Sequence, residues 1–546
     1  MKKKQVTAAI LAALLLAAAL AGCAQTGGAA ATPTAAPVLN LNVCVGSEPG
    51  TIDPQLNATV DGATLINHAF EGLMRLDADG DIVPAQAAGY TVDDSGTVYT
   101  FTLRDDIKWS DGQPVTASDF VYAWRRLMDP TTGAGYSYIL EMVKNADEIL
   151  AGDMTSDQLG ITAPDDRTVE ITLSAPCPYF LEICAFPNTY PVREDVIEKN
   201  GDQWTFEDYV CNGPYVLTDW SHNSYMLYSK NPEYYNAEAV GPETIKFYLM
   251  DDSAAMLTAY RSGELSFIDQ VPAGEIPTLK KDGELTVKGV MGVYFSCLND
   301  ASKPFDDPKV RKAFSLAVDR NYLVDNVTAG GEIPASALVP DGLSDVAAGE
   351  DFRSVGGAYI DTSAQSYEAN CEEAKKLLAE AGYPDGEGFP AVEYLYVNDD
   401  VSDKIAQALQ YMWQDELGVT VTLSARDWSG FMDDVLGGSY QMAGLAWLAD
   451  FNDPISFLDM WTTGNGNNIA RYSNAHYDEL ITRARDSEDR ADRIGNMHLA
   501  EDALMADMAM IPLYFNTDPY MIDPGLAGFY TSPLGYKYFM YVTEAS

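Results

Sequence analysis

Basic residues are scarce in this chain: 34 Lys and Arg stand against 81 Asp and Glu, a formal charge of −47 at neutral pH. So acidic a chain is unsuited to nucleic acid, which is bound through Lys and Arg neutralising phosphates. It is equally unsuited to docking along an anionic lipid face. Histidine is scarcer still, and His68, His222, His476 and His498 fall in no metal-ligand spacing. There is no Gly-x-Ser-x-Gly elbow, no His-Glu-x-x-His helix and no Gly-x-x-x-x-Gly-Lys phosphate loop. Cysteines number 7, and Cys44, Cys177, Cys184, Cys211, Cys297 and Cys371 match no zinc or redox pattern. Cys177 and Cys184 are the closest pair, but a fold of this size does not need a disulfide, and buried free thiols suit it equally. No catalytic residues, metal or cofactor are therefore expected. Counting alone leaves a glycosidase-like carboxylate pair open, yet nothing selects one pair among 81 acids.

What is present begins at the N-terminus. Lys2, Lys3 and Lys4 precede an uncharged apolar run from Val6 to Leu20, and Leu20-Ala21-Gly22-Cys23 closes it with small residues. This is the layout of a secretory signal. As a helix the run would span roughly 22 Å, short of a bilayer core at about 30 Å. Residues 1–22 read as a signal peptide and 23–38 as a flexible tether, since Ala24 to Pro37 carries no charge and no periodicity. Without its three leading lysines the chain holds 31 basic residues against 81 acidic ones. With 47% hydrophobic and 11% aromatic residues it is no disordered polyanion, and it is long enough for more than one core.

Helical and strand periods alternate along the body. Leu39–Val45, Thr97–Leu103, Thr168–Leu173 and Val419–Leu423 read as strands. Thr64–Leu73, Ser118–Met128 and residues 307–319, 371–380 and 402–417 read as helices, with Thr116 and Asp119 as a capping box and Gly382 and Gly418 as stops. The mixture indicates an α/β protein of several lobes. Tyr and Trp are plentiful, at 32 and 8, and many sit in irregular segments, which suits a recognition cleft. Ala443 to Asp450 reads as a buried strand ending in a carboxylate, a natural partner for a cation, whereas Asp453 before Pro454 reads as a turn former.

An ordered series of motifs spans Leu39 to Tyr541: Glu48-Pro49-Gly50-Thr51-Ile52-Asp53-Pro54, Lys108-Trp109-Ser110-Asp111-Gly112, Asn212-Gly213-Pro214-Tyr215 and Val310-Arg311-Lys312-Ala313-Phe314. In them the chain resembles the large extracellular solute-binding proteins that deliver peptides to ATP-driven importers, the oligopeptide-binding type in particular. The resemblance implies a two-lobed periplasmic-binding-protein-like α/β fold with a hinge and an extra subdomain. The first lobe is expected from 39–60, 188–290 and 502–546, the subdomain from 61–187 and the second lobe from 291–501. Leu20-Ala21-Gly22-Cys23 resembles a lipobox, which would make Cys23 the acylated first mature residue; an ordinary signal peptide is the alternative. The implied ligand-binding residues are Asp450 for a peptide α-ammonium, Ala446, Trp447 and Leu448 along the bound strand, and Trp428, Tyr136, Glu48 and Tyr294 around it. The departures are Val435 and Gly444 in place of carboxylate-binding arginines, and Leu448 with Gly292 in place of a disulfide.

The expected partners are short peptides, the permease subunits of an importer and a lipid anchor in the membrane. A monomer on the outer face or periplasmic side is expected. A receptor of the same fold for a dipeptide, haem, metal complex or modified sugar remains the alternative, with a hydrolase or an adhesin beyond it.

Overall fold

The computed structural model describes residues 38–545 apart from 79, 348, 349 and 488. The signal-peptide, acylation and tether expectations for residues 1–37 lie outside the described residues. Residues from Leu39 onward form one compact unit.

Strand β1 spans Asn40–Cys44, and helix α1 spans Val60–Ala69, capped by the Thr59 side chain. This helix starts and ends four residues earlier than its periodicity suggests. Phe70 is extended, and Phe70 and Leu73 are buried among core side chains of the first lobe, so their apolar character reflects burial and not a helical face. A four-stranded antiparallel sheet follows, built from β2 (Ala87–Val92), β3 (Val98–Leu103), β4 (Ile161–Asp165) and β5 (Thr168–Thr172) in the order β2-β3-β5-β4. Helix α2 (Ala117–Met128) packs on β4 and β5. Its capping box forms as expected, the Asp119 carboxylate accepting from the Thr116 N–H at 2.7 Å.

The chain continues through β6 (Tyr215–Ser221), β7 (Tyr225–Lys230), β8 (Thr244–Tyr248), β9 (Phe267–Ile268) and β10 (Thr286–Leu298). Helices α3 (Pro308–Leu316) and α4 (Tyr367–Glu380) lead to β11 (Val392–Val397), α5 (Asp400–Leu417) and β12 (Val421–Arg426). Then come α6 (Trp428–Gly437), β13 (Met442–Leu448), α7 (Ala475–Asp486), α8 (Arg490–Asp507) and β14 (Met510–Ile522). Gly418 ends α5 with φ of 67°, in the left-handed region where glycine costs least.

These strands make one long sheet in the order β12-β11-β13-β10-β14-β9-β1-β8-β7-β6. The 13-residue strands β10 and β14 carry it from one lobe into the other. Their register shifts between Gly289 and Val293, at the crossing. Apolar side chains separate accordingly. Leu41, Val43, Phe247 and the subdomain residues share one cluster, and Met256, Leu265 and Ile268 lie in another beside it. In the second lobe the alternation of β10 sends Val293, Phe295 and Cys297 to one cluster and Leu298 to the other. The result is a two-lobed α/β architecture with layers on both faces of the sheet. Leu504, Met505, Met508–Ile511 and Leu513–Phe515 are buried with the second lobe's clusters, so we propose a return to the first lobe near residue 516, where 502 was expected. The six thiols from Cys44 to Cys371 are buried and free, Cys177 and Cys184 included.

Candidate functional site

Strands β11, β12 and β13 run parallel, so their carboxyl ends open on one side of the second lobe. Crevices outside such ends are where open α/β sheets take ligands. On one side β13 pairs with β10 along its whole length, from Met442 opposite Leu298 to Leu448 opposite Gly292. On the other side it pairs with β11 only at Met442 and Ala443. The Ala449 N–H donates to the Met291 carbonyl at 2.8 Å, which fixes the phase of the β10 ladder. Gly292–Leu448 and Tyr294–Ala446 are then non-hydrogen-bonded pairs, so the N–H and C=O groups of Ala446 and Leu448 point away from β10, toward the unpaired side. Ala446 is exposed, and Leu448 keeps 41% of its surface. Beyond Ala443, β13 is thus an open edge.

Asp450 sits just past this edge. Its carboxylate accepts one hydrogen bond, from the Tyr138 hydroxyl at 3.3 Å. Its N–H donates to Ser456 Oγ at 3.0 Å. Burial among the cleft walls pushes its pKa up to about 7; the Tyr138 bond opposes the shift and the Glu141 charge adds to it. No ion pair balances Asp450 among the described residues.

Cavities meet at this carboxylate. One of about 170 Å³ is walled by Tyr136, Phe186 and Asn188 of the subdomain side, Leu448 and Ala449 of β13 and its exit, and Leu534 and Tyr536. Tyr136 stacks on Tyr138 with ring centroids 5.4 Å apart, and burial followed by the Asp450 charge pushes its phenol up to about 12. A second cavity, of about 140 Å³, is walled by Tyr138, Glu141, Tyr179, Trp447, Asp459 and Arg485. Trp447 is pinned there by its indole N–H, which donates to the Ser456 carbonyl at 2.8 Å. The site therefore lies between lobes. Tyr179 of the subdomain stacks on Phe451 of the second lobe, ring centroids 4.1 Å apart and planes nearly parallel. The Glu182 carboxylate accepts from the Asn452 N–H beside them, and burial raises Glu182 to about 7.

The family described as "Bacterial extracellular solute-binding proteins, family 5 Middle" matches residues 81–469. The chain belongs to this family. It is 35% identical over 508 residues to the oligopeptide-binding protein OppA of Bacillus subtilis, covering 91% of each chain. It is 34% identical over 488 residues to the probable deoxycholate-binding periplasmic protein YgiS of Escherichia coli, covering 88% of this chain and 89% of that one. The crystal structure of Haemophilus influenzae OppA in complex with RPPGFSPFR superposes with a TM-score of 0.77 at 30% identity, covering 93% of this chain and 99% of that chain. A solute-binding protein of this family acts outside the cytoplasm, by binding and not by catalysis.

Of the residues expected around the ligand of this solute-binding protein, the fold gathers Asp450, Tyr136, Trp447 and Leu448 on cavities that share Asp450. Ala446 lies on the open edge between Trp447 and Gly444. Three others lie apart. Trp428, 64% exposed at the start of α6, stacks on Phe431. Tyr294 stacks on Tyr514 with centroids 5.1 Å apart and interplanar angle 7°. The Glu48 carboxylate is taken up by the β6–β7 turn, bonded to His222 Nδ1 and to the Asn223 N–H at 2.7 Å each. Asp453, read as a turn former, also makes a buried two-point pair with Arg493 at 2.6 and 2.8 Å.

The departures are equally visible. Leu448 faces Gly292 across the ladder, and a Cβ at 292 would come 3.2 Å from Leu448 Cγ. Val435 is fully buried in the second lobe's core. At Gly444 a Cβ would fall 2.5 Å from the Tyr394 hydroxyl and 2.6 Å from that of Tyr294. Sequence reasoning missed Tyr138, Glu141, Tyr179, Arg485 and Tyr536. The Tyr136-Ser137-Tyr138 pair in an irregular segment was a usable signal; the others carry none.

Proposed function

We propose that this solute-binding protein captures short peptides between its lobes, with the ligand α-ammonium on Asp450 and its backbone along the open edge of β13. The single observation that supports this most is the coincidence of the two features: unpaired main-chain groups at Ala446 and Leu448, and an unbalanced carboxylate two residues further on. An extended peptide can add to such an edge as an extra strand, which gives affinity without reading side chains. With its ammonium at Asp450, the peptide would run antiparallel to β13. Tyr136, Trp447 and Leu448 would flank its first residues, and Trp428 would meet later ones. Glu48 and Tyr294 would act at a remove, Glu48 by fixing the β6–β7 turn. The similarity to proteins named for oligopeptide binding supports the same substrate class. An anionic ligand such as a bile acid suits an unbalanced Asp450 poorly, because burying like charges together is costly.

The reading includes closure of the lobes about β10 and β14, with handover of the peptide to the permease subunits of an ATP-driven importer. It also includes acylation of Cys23 and action as a tethered monomer; stable anchoring needs more than one acyl chain. Replacing Cys23 with Ser should abolish lipid labelling while export continues. The substrate class is tested by mass spectrometry of small molecules released when the purified protein is denatured. Mixed short peptides are the expected result, and recovery of a sugar, haem or metal complex would overturn the assignment.

A further inference from the structure

The cavity beside Asp450 carries more negative charge than an α-ammonium can balance. Asp450, Glu141 and Asp459 all line it, with Arg485 as the one cation among the described residues. Arg485 is already paired, its guanidinium bonded directly to Asp459. Glu141 lines the same space with no ion pair of its own among the described residues, although Arg485 lies near enough to be felt. Burial chiefly, and Asp459 next, hold the Glu141 carboxyl above its ordinary range. Among the described residues, Oδ2 alone of the two Asp450 oxygens has a partner, at 3.3 Å. The remaining walls are rings: Tyr138, Tyr179 and Trp447. Aromatic faces beside carboxylates favour a cation on a slim apolar stem. The volume of about 140 Å³ matches a side chain of four carbons and an ammonium, at about 30 Å³ per water-sized group. The space continues past Glu141 and Arg485 into a larger cavity of about 300 Å³, so a guanidinium also has room.

Resting on the peptide reading above, we infer that Glu141 makes this cavity a specificity pocket for a basic first side chain, so that the preferred ligands are peptides beginning with Lys or Arg. The α-ammonium occupies Asp450, and the side-chain cation reaches Glu141 between the rings. The shared chemistry is two cations joined by a short aliphatic stem, which a free diamine would also supply.

The test is calorimetric titration of the ligand-free protein and of Glu141→Gln with Lys-Ala-Ala, with norleucine-Ala-Ala, which keeps the stem without its charge, and with 1,5-diaminopentane. The expected result is about 3- to 10-fold tighter binding of the lysine peptide to the wild type, because a partly solvated pair contributes modestly. In Glu141→Gln that preference should shrink to within about twofold while the norleucine peptide binds as before. Equal binding of both peptides to the wild type, or an undiminished lysine preference in Glu141→Gln, would overturn the pocket and leave the peptide reading intact. Binding of neither peptide would overturn that reading itself. Diaminopentane binding as tightly as Lys-Ala-Ala would overturn the assignment to a peptide side chain. The Glu141 side chain makes no hydrogen bond or ion pair among the described residues that the variant would lose, so Glu141→Gln is expected to fold, and an unchanged melting temperature checks this.

Discussion

The two ends of the open edge of β13 are furnished in opposite ways. At the carboxyl end Asp450 holds an unbalanced charge between aromatic walls, raised toward neutrality by its burial. At the other end Gly444 leaves a gap that the hydroxyls of Tyr294 and Tyr394 fill, with the Ser296 hydroxyl 3.1 Å from that of Tyr394. The charge Tyr294 feels there is the carboxylate of Asp399. One end is thus suited to fixing a cation, while the other offers neutral hydroxyl groups and, among the described residues that contact Tyr294 and Tyr394, no cation for a carboxylate. On the proposed reading, a groove built this way would locate a peptide by its first residue and leave its last to solvent. Register would then come from the charge, and length tolerance from the lack of one.

The largest effect expected from this asymmetry is that of blocking the ligand ammonium. N-acetylation should weaken binding by about 30-fold or more, since a desolvated carboxylate then loses its partner. Isothermal titration of one peptide in free and acetylated form measures it, and equal affinities would erase the difference between the ends.

Acidification should come next. Asp450 has a folded pKa of about 7, above the usual carboxylate value. Its charged form therefore costs stability above pH 7, and protonation on going down toward pH 4 relieves that cost in the free protein. The bound ammonium needs the ionised form, so affinity should move the opposite way and fall by up to about tenfold per unit below pH 7. Titrations from pH 8 to pH 5 in buffers of different ionisation enthalpy should show proton release on binding; a flat profile would place the ammonium elsewhere.

The neutral end responds to volume instead. Gly444→Ala puts a methyl within 2.6 Å of two hydroxyls, and Tyr394 is fully buried and cannot swing aside. A loss of about 1–3 kcal/mol in urea unfolding is expected. A variant as stable as the wild type would show that this end is loosely packed. The smallest effect belongs to the ligand's other terminus: amidating the peptide carboxylate should change affinity by no more than about threefold. A larger change would reveal a cation that reaches the far end.

Much of this was legible in the sequence, and the gaps have physical causes. The run from Ala443 to Asp450 announces a buried strand closed by a carboxylate, and the strand forms at Met442–Leu448. Its open edge was not legible, because pairing depends on where β11 stops, which is a property of the fold. Asp450 reads as a cation partner at a strand end and Asp453, three residues on, as a turn former, but nothing in the sequence says which of them is already paired. Arg493 on α8 reaches one of them from 40 positions away and leaves the other alone. Glu48 stands in a motif expected beside the ligand, yet His222 and Asn223 of a distant hairpin claim it. Glu141 and Arg485 belong to no motif, and only the meeting of subdomain and second lobe brings them to one cavity. Periodicity also extended the first helix to Leu73, where burial of the extended segment imitates a helical face.

The most direct test of the central claim is a cycle joining Asp450→Asn with acetylation of the ligand. Wild type and variant are titrated calorimetrically with one peptide in both forms. Removing one partner of a buried charge pair typically costs about 2–5 kcal/mol, so Asp450→Asn should bind the free peptide roughly 30-fold to several thousand-fold more weakly. The acetylated peptide, with no ammonium to pair, should bind both proteins weakly and alike. If the substitution weakens both forms equally, Asp450 supports the architecture of the cleft and does not hold the ammonium, and the account fails at its centre.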